Sequence, residues 1–515
     1  MLESKDGSFF NAATELMDHN LAAGRGDKIA VIDTDGTHSY QDVINGINKF
    51  ANALRTLGFL PEQRIVLCLN DTVDFPICFL GAIKAGVVPV PINTRLTEKD
   101  YDYILEDSRA SALVVSADLL SLFENHMDRH EHLKSVVISR GDSERKTALA
   151  ILLEAQPSEF TPAKTRIDDM CFWLYTSGTT GVPKGTVHLH GNMAATAKLY
   201  AQDTLGIRED DVMYSAAKLF FAYGLGNGLT FPFSVGATVI LLEGPPTPEA
   251  VSEILRNRKP TIFYGVPTLF GMLLASDVLP KKGEHNLRIC TSAGEALPAD
   301  LLTRWQAHVG VDILDGIGST EMLHIFLSNR PGDVRPGSTG KPVDGYDIRL
   351  TDDDGLPVLE GEMGALEISG PSSGLMYWNQ RAKSLETFQG PWTRAGDKYR
   401  QDDEGYYIYC GRTDDMLKVG GIYVSPFEVE GALIEHEAVL EVAVVGYADA
   451  DELIKPKAVV VLKESPANQS AFALELQEYA KSRLAPYKYP RWIEFVDELP
   501  KTATGKIQRF KLRDS

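Results

Sequence analysis

Short runs of β-branched residues alternate with segments of helical periodicity in the first third of this 515-residue chain. Between Ser39 and Leu57, apolar side chains recur three or four positions apart, and Ser39 and Gly58 can cap the two ends of a helix. Further strand-like runs lie at 64–69, 112–115 and 135–138, and further helical segments lie at 75–85 and 97–106. Strands and helices in this alternation predict a parallel, doubly wound sheet.

A loop rich in hydroxyl groups and glycine, residues 175–185, follows an apolar strand candidate at 170–174. Its glycines let the backbone approach an anion, and its hydroxyls and one ammonium add hydrogen-bond donors. We therefore predict a phosphate-binding loop at the carboxyl end of a strand. The loop is not a Walker A motif, because Lys184 lies between Pro183 and Gly185. A surface turn of small residues is the alternative interpretation.

Five segments further along the chain combine small residues with charged or hydroxyl side chains, and each would be a weak signal by itself. They are the segments 291–296, 315–321, 392–397, 411–418 and 500–509. Together with the phosphate loop, and in this order, they resemble the adenylate-forming superfamily of acyl- and aryl-CoA synthetases, firefly-type luciferases and nonribosomal adenylation domains. The resemblance implies ATP, Mg²⁺ and coenzyme A as cofactors or co-substrates.

The resemblance also implies three catalytic residues. Lys506 would bridge the substrate carboxylate and the α-phosphate, because an ammonium on a flexible stem can compensate the negative charge that develops there. Thr320 would contact the α-phosphate. Glu321 would ligate Mg²⁺ together with Thr179, since Mg²⁺ prefers oxygen ligands. The phosphate loop would then hold the β- and γ-phosphates, which depart as pyrophosphate.

The other nucleotide and CoA contacts follow from the same resemblance. The segment 293–296 would receive adenine, Asp397 would bind both ribose hydroxyls, and Arg412 would reach ribose and phosphate. Ile317 stands where the family usually has an aromatic residue, so a stacking role there is not implied. The predicted nucleotide- and CoA-binding residues are Thr176, Ser177, Gly178, Thr179, Thr180, Lys184, Ala293, Gly294, Glu295, Ala296, Asp315, Gly316, Ile317, Gly318, Ser319, Asp397, Arg412, Lys418, Gly420 and Gly421.

The same resemblance implies an acyl pocket lined by Phe221, Ala222, Tyr223, Ile317 and His324. Most of these side chains are bulky and apolar, which suits a compact flat acid better than a long alkyl chain. His324 would either donate to a ring hydroxyl or pack beside the ring, and Phe221 fits an ordinary core equally well. The segments 215–226, 315–328, 412–426 and 484–490 closely resemble those of bacterial benzoate-CoA ligases. The implied substrate is benzoate, with 4-hydroxybenzoate and 2-aminobenzoate as alternatives.

The composition changes near residue 414, where a smaller unit of helices and strands begins. The resemblance implies an N-terminal domain at 1–413 that binds the acyl group and ATP, and a C-terminal domain at 414–515 that carries the catalytic lysine, with Asp414 as the hinge. The change in composition at this point agrees with a hinge between two domains. The expected fold class is α/β. It comprises a large N-terminal domain of doubly wound sheets with a β-barrel-like subdomain, and a small, mobile α+β C-terminal domain.

The net charge of −20 argues against nucleic acid or an anionic membrane as a partner. Five cysteines without a CxxC pair fit buried thiols in a reducing cytoplasm, and the N-terminus lacks a signal-peptide pattern. The expected partners are a small aromatic carboxylic acid, ATP and CoA. A lysine acetyltransferase acting on Lys506 is a further candidate that the resemblance implies. The chain is expected to be a monomer or a homodimer.

Other functions share the same motifs. A luciferase-like monooxygenase would consume oxygen with an acyl-adenylate. A nonribosomal adenylation module would need a separate carrier protein, because the chain ends nine residues after Lys506. A non-catalytic nucleotide sensor of this fold would tolerate the loss of Lys506, Glu321 or Asp397, and all three are present.

Overall fold

The computed structural model describes residues 8–125, 127–141, 147–176, 183–413, 415–419, 422–449, 453–464, 466, 468–501 and 507–513. The predicted site residues that lie outside these ranges are Ser177, Gly178, Thr179, Thr180, Asp414, Gly420, Gly421 and Lys506. Two compact units are present, Met1–Ile348 with Ile368–Thr393, and Arg349–Glu367 with Arg394–Ser515. This grouping by compactness does not test the hinge, so the boundary between residues 413 and 414 stays a prediction.

The elements are numbered in chain order. The α-helices are α1 Ala12–Ala22, α2 Tyr40–Thr56, α3 Asp74–Ala85, α4 Glu98–Ser108, α5 Leu149–Glu154, α6 His190–Thr196, α7 Ala222–Leu225, α8 Phe231–Val235, α9 Pro248–Glu253, α10 Pro267–Ala275, α11 Ala299–Val309, α12 Arg381–Thr387, α13 Pro426–Ile434, α14 Gln469–Lys481 and α15 Phe510–Arg513. π-Helical segments continue α6, α7 and α9 at Ala197–Thr204, Gly226–Thr230 and Ile254–Arg258.

The strands of the first unit are β1 Ile29–Asp33, β2 Gly36–Ser39, β3 Arg64–Cys68, β4 Val88–Pro91, β5 Ala112–Ser116, β6 Ser135–Ser139, β7 Thr147–Ala148, β8 Met170–Thr176, β9 Lys184–Leu189, β10 Val212–Ser215, β11 Thr238–Ile240, β12 Ile262–Gly265, β13 Ile289–Ser292, β14 Ile313–Gly318, β15 Ile325–Ser328 and β16 Lys341–Pro342. The later strands are β17 Asp347–Thr351, β18 Met363–Ser369, β19 Met376–Tyr377, β20 Phe388–Gln389, β21 Trp392–Gln401, β22 Tyr407–Arg412, β23 Leu417–Val419, β24 Ile422–Val424, β25 Val439–Ala448, β26 Ile454–Leu462 and β27 Trp492–Phe495.

A five-stranded parallel sheet of the first unit has the order β4-β3-β5-β6-β7. Its strands β3, β5 and β6 are the β-branched runs that the sequence predicts, and the predicted helices α2, α3 and α4 accompany them. Helix α2 begins with a capping box, in which Ser39 and Asp42 each accept a hydrogen bond from the other's main-chain N–H. The same pattern at Thr97 and Asp100 begins α4. Local capping therefore sets both helix starts.

A nine-stranded sheet of the same unit has the order β16-β15-β14-β13-β12-β10-β11-β1-β2. Its strands from β14 to β1 are parallel, whereas β15, β16 and β2 pair antiparallel at the two ends. The predicted α/β fold class with parallel sheets is therefore confirmed. The carboxyl ends of parallel strands meet at one edge, which is where ligands bind in sheets of this kind.

Strands β19, β9 and β8 form a separate three-stranded antiparallel sheet. Thr176 at the end of β8 lies opposite Lys184 at the start of β9. Residues 177–182 therefore join two neighbouring antiparallel strands. The predicted phosphate loop thus follows a buried strand, as expected, but this strand is not part of a parallel sheet.

The second unit contains most of a sheet in the order β17-β18-β21-β20, with β22 paired to β21. The β-barrel-like subdomain of the N-terminal domain stays a prediction. It also contains the β23–β24 hairpin and the sheet β25-β26-β27. Helix α13 begins at Ser425, whose side chain accepts a hydrogen bond from Glu428 N, with Pro426 in the first helical turn. Helices α13 and α14 cover the core of this unit with residues such as Val429 and Leu476, which are fully buried.

All five cysteines are buried free thiols, as the sequence predicts. In the described part of the chain, no helix combines the length and the apolar character needed to cross a bilayer.

Candidate active site

Two of the predicted nucleotide-binding segments lie side by side at the carboxyl edge of the nine-stranded sheet. Strand β13 ends at Ser292, which lies opposite Asp315 of the parallel neighbour β14. The segment 293–296 therefore continues from the end of β13, beside residues 316–318 of the neighbouring strand β14. The Glu295 carboxylate accepts a hydrogen bond from Thr268 Oγ1 at 2.8 Å, which holds its side chain. The structure thus brings two of the predicted nucleotide-binding segments together.

Asp315 is held by its backbone. Its carbonyl oxygen accepts hydrogen bonds from the main-chain N–H and the Nδ2 of Asn329, at 2.9 and 3.2 Å. The carboxyl group is buried, and burial raises the pKa of Asp315 well above its usual value. Its Oδ1 has no hydrogen-bond partner within the described residues. A buried polar atom without a partner at this edge fits a ligand that supplies the missing contact.

The peptide of Thr320 and Glu321 is fixed by two contacts from other segments. His188 Nε2 donates to the Thr320 carbonyl oxygen at 2.8 Å, and Gly374 N donates to the Glu321 carbonyl oxygen at 2.6 Å. Burial lowers the pKa of His188 to about 4, so the imidazole is neutral at pH 7. A Cβ at Gly374 would lie 2.9 Å from Thr186 Cγ2. The approach of the Gly374 backbone to the Glu321 carbonyl therefore requires glycine at this position.

Tyr377 links the Glu321 side chain to Lys184. The Tyr377 hydroxyl donates to Glu321 Oε1 at 2.5 Å, and Lys184 Nζ lies 4.3 Å from the centroid of the Tyr377 ring. Lys184, which is predicted to bind phosphates, and Glu321, which is predicted to ligate Mg²⁺, therefore lie around one aromatic ring.

The predicted acyl-pocket residues come from two segments that meet at Tyr223 and His324. Phe221, Ala222, Tyr223 and Ile317 are half-buried, whereas His324 is buried. The Tyr223 hydroxyl shares a hydrogen bond of 2.6 Å with Thr291 Oγ1, and the rings of Tyr223 and His324 are 5.5 Å apart. Phe221 packs against the main core cluster, and its role in the acyl pocket stays a prediction.

The hydrogen bonding of His324 defines its tautomer. Its Nε2 lies 3.3 Å from the Tyr223 carbonyl oxygen, which only accepts, so the ring proton is on Nε2. Burial lowers the pKa of His324 to about 3, which keeps the ring neutral. Nδ1 is buried and has no hydrogen-bond partner among the described side chains and backbone. The nitrogen that is left for a ligand is therefore an acceptor, and the predicted donation to a ring hydroxyl does not fit this tautomer.

The predicted ribose-binding residues face each other across two strands of the second unit. Asp397 on β21 lies opposite Arg412 on β22, and Arg412 Nη1 is 3.4 Å from Asp397 Oδ1. Asp397 is buried, whereas the Arg412 side chain is 40% exposed and so remains accessible to a ligand. A Cβ at Gly396 would lie 3.0 Å from Arg412 Nη2, and the φ of Gly396 is +75°. Glycine is therefore required beside this pair.

The described residues on both sides of 502–506 are anchored to each other and to α13. Lys501 and Ile507 form an antiparallel bridge, and Gln508 N donates to the Pro500 carbonyl oxygen at 2.8 Å. Arg509 forms a bidentate ion pair with Glu430 of α13, in which both distances from Nη2 to the carboxylate oxygens are 2.9 Å. Both side chains are only 11% exposed. The buried pair connects the segment that begins at Ile507 to α13 of the same unit.

The backbone of Lys418 lies in β23, opposite Tyr423 of β24 in a short hairpin. Gly420 and Gly421, which come between these two strands in the sequence, lie outside the described residues together with Asp414. Their predicted roles toward CoA and as a hinge stay predictions.

A family model of the AMP-binding enzymes matches residues 19–378, and a model of the AMP-binding enzyme C-terminal domain matches residues 428–506. The chain belongs to the AMP-binding enzymes. The predicted membership in the adenylate-forming superfamily is therefore confirmed.

Relatives of this AMP-binding enzyme match over almost their whole length. A benzoate–CoA ligase of Thauera aromatica is 59% identical over 508 residues, which cover 98% of this chain and 96% of the relative. The crystal structure of a benzoate CoA ligase from Burkholderia xenovorans LB400 is similar with a TM-score of 0.91 and 52% identity, over 98% of this chain and 100% of that one. The anthranilate CoA ligase AuaEII, in complex with anthranoyl-AMP, gives a TM-score of 0.93 at 44% identity, over 98% of this chain and 97% of that one.

The residues around Glu321 fit Mg²⁺, which the AMP-binding enzyme family implies. Mg²⁺ that bridges phosphates needs only one or two protein carboxylates. Glu321 is a half-buried carboxylate whose orientation is set by the Tyr377 hydroxyl, so it offers one oriented hard ligand. Within the described ranges no larger group of metal-ligating side chains is present, and Thr179 lies outside those ranges.

Three residues of this site have no signal in the sequence. They are His188, which donates a hydrogen bond to Thr320, and Gly374 and Tyr377, which donate hydrogen bonds to Glu321. All three lie in segments that carry none of the six motifs. The sequence separations of 132 residues for His188–Thr320 and 56 residues for Tyr377–Glu321 explain why periodicity and motif spacing do not reveal them.

Proposed function

We propose that this AMP-binding enzyme is a benzoate-CoA ligase, which converts benzoate, ATP and CoA into benzoyl-CoA, AMP and diphosphate. The observation that carries this proposal is the 59% identity to the benzoate–CoA ligase of Thauera aromatica across 98% of the chain. The neighbouring Tyr223 and His324 rings, beside Thr291, would line a compact aromatic pocket for the acid.

The first half-reaction forms benzoyl-adenylate. The benzoate carboxylate attacks the α-phosphate of ATP, and pyrophosphate leaves. Thr320 would hold the α-phosphate, and Lys506 would compensate the charge between that phosphate and the carboxylate. Lys184 and the loop 175–185 would bind the departing phosphates. Glu321 would hold Mg²⁺, whose charge, when it is bound, offsets that of the phosphates.

The second half-reaction transfers the benzoyl group to CoA. The thiol attacks the carbonyl carbon of benzoyl-adenylate, and AMP leaves, because adenylation has replaced an oxide by a good leaving group. We propose that residues 414–515 rotate about Asp414 between the two steps. Lys506 would then leave the site, and Lys418 with Gly420 and Gly421 would line the channel for pantetheine.

The decisive experiment is a panel of aryl acids with ATP, Mg²⁺ and CoA, in which AMP, pyrophosphate and the thioester are quantified. Benzoate should give the highest kcat/KM. A higher kcat/KM for 4-hydroxybenzoate or 2-aminobenzoate would identify that acid as the preferred substrate instead. Absence of AMP with every acid would favour the nucleotide sensor, and light emission or oxygen uptake would favour a monooxygenase.

The selectivity of the pocket should not depend on pH near neutrality. Because the pKa of His324 is lowered to about 3, His324 stays neutral from pH 6 to 8 in the folded protein. We expect the ratio of kcat/KM for benzoate to that for 2-aminobenzoate to be constant over this range. A ratio that changes with an apparent pKa near that of an ordinary histidine, about 6.5, would contradict the assignment of a neutral ring.

Further proposals concern regulation and location. Acetylation of Lys506 by a lysine acetyltransferase would remove the charge that the first half-reaction needs. A stoichiometrically acetylated sample with full activity would refute this.

The buried thiols are compatible with a cytoplasmic location. The oligomeric state, monomer or homodimer, is open to measurement by light scattering.

A further inference from the structure

Tyr377 is placed at the site by β-pairing and by packing. It lies in β19 opposite Thr186 of β9, two residues after Lys184. Its main-chain N–H donates to Ser384 Oγ at 3.0 Å, and its ring lies 5.3 Å from the ring of Phe388. Tyr377 is only 3% exposed. The ring therefore has little freedom to move.

The two ends of this side chain contact two different charged groups. The hydroxyl donates to the Glu321 carboxylate at 2.5 Å, a short charge-assisted hydrogen bond. The ring face lies 4.3 Å from Lys184 Nζ, within the range of a cation–π contact. Gly374, three residues before Tyr377, also donates to the Glu321 carbonyl oxygen at 2.6 Å. The segment 374–377 thus holds Glu321 by its main chain and by its side chain.

We propose that Tyr377 is a positioning residue that orients the Mg²⁺ ligand Glu321 through its hydroxyl and the phosphate-binding Lys184 through its ring. A carboxylate that ligates a metal depends on such a hydrogen bond for its orientation, and removal of the outer partner typically weakens metal binding by about 10- to 100-fold. The inference rests on the proposed function, because it takes Glu321 and Lys184 to act on the phosphates of ATP.

The two contacts are separable by substitution. Tyr377→Phe removes the hydroxyl and keeps the ring, whereas Tyr377→Leu removes both. Tyr40→Phe is a matched control, since Tyr40 is a fully buried tyrosine of the same unit whose hydroxyl donates to the Ala237 carbonyl oxygen, away from the site. Glu321→Gln, alone and combined with Tyr377→Phe, closes a double-mutant cycle.

The experiment measures the binding of Mn²⁺ to the full chain in the presence of α,β-methylene-ATP, by electron paramagnetic resonance, so that no turnover is needed. Tyr377→Phe should weaken Mn²⁺ binding by about tenfold, at the lower end of the range for outer-shell partners. Binding of the ATP analogue, measured separately by calorimetry, should weaken further in Tyr377→Leu. Tyr40→Phe should match the wild type. In the Glu321→Gln background, Tyr377→Phe should have no additional effect on Mn²⁺.

Wild-type Mn²⁺ affinity in Tyr377→Phe would overturn the inference, as would an equal loss in the wild-type and Glu321→Gln backgrounds. A merely structural role would lower thermal stability and leave the Mn²⁺ affinity of the folded fraction unchanged. Failure of the proposed function is distinguishable, because it would appear in the wild type as the absence of AMP formation from any aryl acid.

Discussion

Replacement of Lys506 by alanine is expected to slow benzoate-dependent pyrophosphate release from ATP by about 100- to 1,000-fold, as for removal of one group that stabilises developing charge. The reason is that negative charge accumulates between the benzoate carboxylate and the α-phosphate during adenylation. The same variant should convert preformed benzoyl-adenylate and CoA into benzoyl-CoA at a nearly wild-type rate. Both half-reactions are measured separately, by pyrophosphate release and by thioester formation.

Lys184→Ala is the matched control for Lys506→Ala. Lys184 lies at the start of β9, against the Tyr377 ring, and is proposed to bind phosphates that depart. Lys184→Ala should therefore slow pyrophosphate release in the first half-reaction far less than Lys506→Ala does. The reverse ranking would show that the two lysines are assigned wrongly, and equal loss of both half-reactions in Lys506→Ala would contradict the rotation about Asp414.

Arg509→Met is expected to destabilise the folded chain by about 3–5 kcal/mol, because it leaves the Glu430 carboxylate buried without its cation. Arg509 and Glu430 are both 11% exposed, and Arg509 also lies over the Phe427 ring at 4.5 Å. Glu430 Oε1 accepts a further hydrogen bond from Val444 N at 2.7 Å, which couples the pair to β25. Urea unfolding, followed by circular dichroism, gives the change in the free energy of unfolding.

The loss of stability in Arg509→Met should depend on pH. Burial already raises the pKa of Glu430, and Arg509 is the main group that counteracts this shift. Without Arg509, the folded-state pKa rises further above that of the unfolded chain, so the folded state binds the proton more tightly. The deficit should therefore be larger at pH 8 than at pH 5. A deficit that is equal at both pH values would contradict an unpaired buried carboxylate.

Lys488→Met and a double variant serve as controls. Lys488 pairs with Glu428 of the same helix α13, but the Glu428 side chain is 45% exposed, so its loss should cost less than about 1 kcal/mol. Arg509→Met combined with Glu430→Gln removes both charges and should recover much of the stability. If Arg509→Met lowers the free energy of unfolding no more than Lys488→Met does, the buried pair does not stabilise this unit.

The elements that the sequence predicts correctly are those with local causes. The helix at Tyr40–Thr56 follows from its apolar spacing and from the Ser39 cap, and β3, β5 and β6 follow from short β-branched runs. These signals arise within a few residues of each other, so they do not depend on the rest of the fold. The order of the strands, and the separate antiparallel sheet around β8 and β9, had no such local signal.

The sequence by itself determined the fold class, the family and the segments that carry the predicted chemistry, because the motifs keep their residue types and order. Only the tertiary structure decided how these groups are held. The Tyr377 contact to Glu321 and the neutral tautomer of His324, set by the Tyr223 carbonyl 101 residues away, depend on which side chains meet after folding. Hydrogen bonds act over about 3 Å, and residues far apart in the chain reach that distance only once the strands have paired.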